Sequence, residues 1–71
     1  IYQVKIIFLK KKIRALYLAS REGHLSTVKL LIEKLKANIN AKTVQQSSPL
    51  YVASEFGHLE VVKFLIENGA E

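Results

Sequence analysis

Two histidines are the residues of this chain best suited to chemistry. His24 and His58 stand 34 residues apart, each directly after a glycine, in Glu22-Gly23-His24-Leu25 and Phe56-Gly57-His58-Leu59. An imidazole can ligate a metal or move a proton near neutral pH. Either task needs partners: further ligands at metal spacing, or a nucleophile together with a third group that orients the base. Neither stretch supplies a carboxylate or thiol at such spacing, and the chain has no cysteine. Ser20, Ser47, Ser48 and Ser54 have no His and acid arranged around them. The six glutamates recur at solvent-side helix positions, and the three glycines are isolated, not gathered into a phosphate-binding loop. A structural role, in which each imidazole hydrogen-bonds backbone in a turn between helices, accounts for both histidines better than ligation does. The chain therefore does not read as an enzyme, and no catalytic residue, metal or cofactor is expected.

The run Lys10-Lys11-Lys12-x-Arg14 is the second suggestive feature. Net charge is +5 and the isoelectric point about 9.7. Five of the eleven bases lie within the first 14 residues without an acid among them, which leaves six bases facing six acids in the remainder. The body is thus neutral and only the leading segment is basic. Such a run can touch nucleic acid, anionic lipid or an import receptor. Nucleic-acid or anionic-membrane binding through Lys10–Arg14 is accordingly the alternative function. A solvated helix face explains the same residues, and no aromatic side chains are interleaved to stack bases. Nucleic acid is not the expected partner.

Positioning these residues falls to a repeat. Leu16-Tyr17-Leu18-Ala19-Ser20-Arg21-Glu22-Gly23-His24-Leu25 returns as Leu50-Tyr51-Val52-Ala53-Ser54-Glu55-Phe56-Gly57-His58-Leu59, and the matched apolar runs close on Glu33 and Glu67. Ser48-Pro49 forms a helix N-cap and first turn. Leu50, Ala53 and Ser54 make a narrow stripe, and Gly57 suits a left-handed helix end. Leu59, Val61, Val62, Leu65 and Ile66 then build a greasier second helix. Each copy reads as a slim front helix and an apolar back helix, packed antiparallel, with Ala19 and Ala53 allowing close approach.

The two copies end differently. Glu67-Asn68-Gly69-Ala70 faces Glu33-Lys34-Leu35-Lys36-Ala37, so the first back helix lacks the glycine and carries one residue more. It is expected to run about half a turn further, ending near Lys36. Residues 38–48 form a polar connecting loop whose tip, Thr43-Val44-Gln45-Gln46-Ser47, lacks glycine for a tight turn, so a looser finger is expected. Residues 1–12 do not fit the repeat. Ile6, Leu9, Ile13, Leu16 and Ser20 share one helical face, which predicts a single helix over about 4–21; a strand through Ile1–Leu9 is the alternative. Tyr17 and Tyr51 are expected to be half buried. Phe56, before the helix-ending glycine, either packs on a neighbouring repeat or faces a partner.

Ser48-Pro49-Leu50-Tyr51-Val52-Ala53, the Gly-His pairs, Asn68-Gly69-Ala70 and the junction Ala37-Asn38-Ile39-Asn40-Ala41 together resemble the ankyrin repeat over about residues 13–71. The resemblance implies an all-α fold: helix-turn-helix repeats stacked as a short solenoid with one hairpin-like connecting loop. The division it implies is a basic helical extension at 1–12, a first repeat with its loop at 13–47, and a second, truncated repeat at 48–71. It further implies a protein-protein interaction scaffold that binds another protein, identity unspecified, on its concave side and takes no small-molecule substrate. Carried over by position, the contacts are Arg21, Glu22, Glu55 and Phe56 from the front helices and Lys42, Val44, Gln45 and Ser47 from the loop. Arrays of this kind generally need about three units to bury their faces. The expectation is therefore that the chain is a fragment of a longer array, or self-associates through an open apolar edge. No apolar run reaches the ~20 residues that span a bilayer. The absence of cysteine fits an intracellular setting, cytoplasmic or nuclear.

Overall fold

The computed structural model describes residues 2–71, with side chains from Gln3 onward. Ile1, the first residue of the expected extension and of the alternative strand, lies outside them. Helix α1 spans Tyr2–Glu22, α2 Leu25–Lys29, α3 Pro49–Glu55 and α4 Leu59–Glu67. A π-helical turn, Leu30–Lys34, continues α2 without a break. No strand occurs among the described residues, so the leading segment is helical and the strand alternative is not what forms. The fold is a short all-α solenoid of two helical hairpins.

The local causes are visible in the backbone. Ser48 Oγ accepts from the Tyr51 amide at 3.1 Å, and Pro49 follows at the first helical position. That satisfies one orphan donor and forfeits none. At the corners, Gly23 and Gly57 both take φ 74°. Each lets the next residue fold back: His24 N reaches Ala19 O and His58 N reaches Ala53 O, both at 2.9 Å. These are matching Schellman closures, and a side chain at either glycine would strain the left-handed backbone.

Packing joins α1 to α3, α1 to α2, and α3 to α4. Leu16, Ala19, Val28, Leu31, Ala37, Ala53, Val61 and Leu65 form one buried cluster. Each fully buried Leu or Val in it contributes about 1.5–3 kcal/mol. Equivalent positions are not equally buried. Val61 is 1% exposed, whereas its counterpart Thr27 lies at the surface. Conversely Leu59 and Ile66 are 77% and 57% exposed, while Leu25 and Ile32 are partly buried against the core. The second hairpin covers one side of the first, and its own corresponding side is open. For the same reason Ser20 is fully buried while Ser54, expected in the apolar stripe, is exposed; Val52 and Ala53 are both fully buried there. Tyr17 is half buried as expected, but Tyr51 stands largely in solvent.

The extra residue of the first back helix is absorbed within the helix. Leu35 N bonds Leu30 O in the wide π pattern, and Ala37 N bonds Leu31 O at 2.9 Å. In the second hairpin Ala70 N bonds Leu65 O at the same distance across one residue fewer. The π turn thus widens the coil until both alanines reach the carbonyl of the equivalent buried leucine. Lys36 adopts φ 57° where the second hairpin has Gly69. Lys12 Nζ donates to the Leu35 carbonyl at 2.8 Å and caps this helix end from α1.

The finger is tighter than its composition predicts. Gln46 takes φ 66°, and Gln46 N donates to Thr43 O at 2.8 Å. Thr43 N donates to Ser47 O, and Thr43 Oγ1 accepts from Ser47 N at 3.2 Å. Those three bonds hold a strained glutamine where glycine was expected to be required. The base of the loop is tied as well, since Asn40 Oδ1 accepts from Glu71 N at 3.0 Å.

Candidate protein-binding surfaces

The eight residues predicted to contact a partner divide between two places. Arg21, Glu22, Glu55 and Phe56 stand at the C-terminal ends of α1 and α3, all exposed. Two stacked Schellman corners position them. The Arg21 guanidinium lies 5.9 Å from the centre of the Phe56 ring, a cation–π contact between hairpins, and its Nε is 3.4 Å from Glu22 Oε2. Phe56 nevertheless remains 55% exposed. One face of the ring thus packs on the preceding hairpin, the first of its two readings, and the remainder is exposed to solvent.

What locks these corners together is His58. Its Nε2 lies 2.8 Å from the Arg21 carbonyl. A carbonyl only accepts, so Nε2 carries the proton and donates. The ring also lies against Gly23: a Cβ built there would fall 2.7 Å from His58 Cε1 and nearer still to Nδ1. The expected backbone bond of the histidine thus exists, but it crosses between repeats and does not stay within its own turn. His24, at the leading side, is exposed. No group of three or more His, Cys, Asp or Glu side chains able to hold a metal comes together among the described residues.

The loop residues lie elsewhere. Lys42, Val44 and Gln45 are exposed, with Val44 at 89% the most exposed apolar side chain of the finger. Ser47 is partly buried, and its backbone closes the tip. Opposite them, α1 contributes Lys10, Ile13, Arg14 and Tyr17, and the two walls enclose a cleft of about 480 Å³ completed by Thr43. In the sequence the α1 wall shows only as positions 10, 13, 14 and 17 on one helical face, where Ile13 also belongs to the apolar stripe and the lysines read as an undivided basic run.

That run is divided by the helix. Lys10 and Arg14 face the cleft, whereas Lys12 is engaged at Leu35 and sits 5.0 Å from the Phe8 ring centre. None of the described helices is long and apolar enough to cross a membrane. Comparison with curated proteins gave no match. The family model described as "Ankyrin repeats (3 copies)" matches residues 3–71, taking in most of the leading part of α1 together with both hairpins. Matched over nearly its whole length, and built from stacked Gly-His hairpins joined by a finger, the chain belongs to the ankyrin-repeat family.

Proposed function

We propose that this chain is a protein-protein interaction module that presents side chains on a rigid frame and performs no chemistry of its own. The carrying observation is the exposure of Phe56 and Val44 on elements whose backbones are fixed, the one by the His58–Arg21 bond, the other by the Thr43–Ser47 closure. Exposed apolar side chains on pre-ordered backbone lose little entropy on binding. Members of this family generally act as interaction modules, which favours the same reading. The contact set is Arg21, Glu22, Lys42, Val44, Gln45 and Ser47 in a first repeat (13–47) and Glu55 and Phe56 in a second (48–71), with a leading extension (1–12) before them. The partner is another protein, met in the cytoplasm or nucleus. Further ankyrin repeats or a second copy would find the trailing side, with Leu59 and Ile66 exposed, the natural place to stack.

Selection of peptide ligands on the immobilised chain, followed by affinity measurement on variants, tests this. Phe56→Ala and Val44→Ala should each weaken selected ligands by roughly tenfold, the scale of an interface anchor; Val44→Ala should leave the melting temperature unchanged, and Phe56→Ala should lower it by only about 2–8 °C through the lost cation–π contact. Ligands indifferent to both changes, or turnover of a small molecule by the chain, would count against the proposal.

A further inference from the structure

The cleft between α1 and the finger has a chemistry of its own. Lys10 and Arg14 border it from the helix and Lys42 from the loop, and no acidic residue lines it. Among the described residues none of these three cations makes an ion pair. Between them the lining is apolar or uncharged: Ile13 and Tyr17 on the helix, Val44 at the finger tip. The apolar face of α1 continues beyond the cleft through Leu9 and Ile6, 46% and 39% exposed. A site with cations on both walls and an apolar floor matches a ligand that alternates carboxylates with an apolar side chain.

We infer that this cleft docks an acidic segment of a partner protein, with carboxylates paired to Lys10, Arg14 and Lys42 and an aliphatic or aromatic side chain seated on Ile13, Tyr17 and Val44. The inference rests on the interaction-module reading and names the partner's chemistry. A phosphate backbone or an anionic bilayer fits less well. Lys12 is spent on the Leu35 carbonyl and Lys11 is not among the cleft residues, so the run offers no continuous cationic stripe for phosphates to follow. Apolar lining between cations suits a side chain better than a sugar-phosphate.

The test is a selection of random peptides on the 71-residue chain, with hits measured against Lys10→Glu/Arg14→Glu/Lys42→Glu and against Lys11→Glu/Lys34→Glu/Lys63→Glu as a charge-matched control away from the cleft. Circular dichroism melts establish that each variant is folded, and single Lys42→Glu, on a loop, serves if the triple variant is not. The expected hits are rich in Asp and Glu around an apolar residue. They should lose roughly tenfold or more in affinity on the triple variant, keep it on the control, and weaken as salt rises. Neutral hits that need Phe56 but ignore the triple variant would overturn the cleft assignment and leave the interaction reading standing. No hits of any composition would overturn both. Single-stranded DNA or phosphatidylserine vesicles that bind in preference to the peptides, and lose binding on the triple variant, would overturn the assignment in favour of phosphate.

Discussion

Gly23 and Gly57 share φ 74° and the same helix-ending role, yet only one is covered by an imidazole. That makes the pair an internal control for the coupling between repeats. Gly57→Ala places its methyl in open space and should cost only the left-handed strain of an alanine, about 1 kcal/mol. Gly23→Ala carries the same strain and also drives a methyl into His58. The ring cannot yield without giving up its 2.8 Å bond to the Arg21 carbonyl, a further loss of about 1 kcal/mol or somewhat more. The expected destabilisations are therefore about 1 and about 2–3 kcal/mol, against a total of roughly 4–10 kcal/mol for a domain of this size. Urea titration followed by far-ultraviolet circular dichroism resolves the difference, and thermal melts should fall by about 5 °C and about 10–20 °C respectively. In a His58→Ala background the Gly23→Ala penalty should shrink to that of Gly57→Ala, giving a coupling energy of about 1–2 kcal/mol. Equal penalties at the two glycines, or an undiminished Gly23→Ala penalty once the imidazole is gone, would refute the claim that His58 couples the hairpins.

Two further changes probe strain built into the frame. Ser20 Oγ is fully buried and finds no hydrogen-bond partner among the described residues, so Ser20→Ala should stabilise the chain by about 1 kcal/mol, while Ser54→Ala at the exposed counterpart gains at most about 0.5 kcal/mol from helix propensity; a urea midpoint that falls for Ser20→Ala would contradict this. Gln46→Gly relieves a φ of 66° and should raise the midpoint by about 1 kcal/mol equivalent, leaving the Thr43–Ser47 closure intact by amide exchange.

Most of the frame could be read from residue types because the repeat states it twice. Ser48-Pro49, the two Gly-His corners and the back-helix apolar runs each obey local rules, and all form as those rules require. What was not legible depended on residues brought together from a distance. Burial at Ser20 and exposure at Ser54 cannot be told apart within one copy; the difference arises only when a second hairpin covers the first. The additional residue after Glu33 suggested a longer helix, whereas anchoring Ala37 to the Leu31 carbonyl demands a wider one. Lys12 looked like part of a surface charge run until the carbonyl it caps, 23 residues away, came within reach. The finger closes more tightly than its composition implies for a similar reason, since a threonine side chain and a closing backbone pair outweigh the missing glycine. Of the candidate surfaces, the corner cluster followed from repeat positions, but the cleft needed α1 to extend alongside a loop that lies 30 residues later.

The two copies also allow frame and face to be separated by subtraction. Where they agree, at Ala19 and Ala53, Gly23 and Gly57, His24 and His58, Leu31 and Leu65, the residues close helices, couple hairpins or fill the core. Where they differ at the surface, the change is one of chemistry: Arg21 becomes Glu55, and Glu22 becomes Phe56. The identical corners hold these unlike side chains at one spacing, so that Arg21 of one hairpin can lie against Phe56 of the next. A surface assembled this way can be rewritten residue by residue without disturbing the bonds beneath it, which is the physical basis on which such a scaffold acquires a partner.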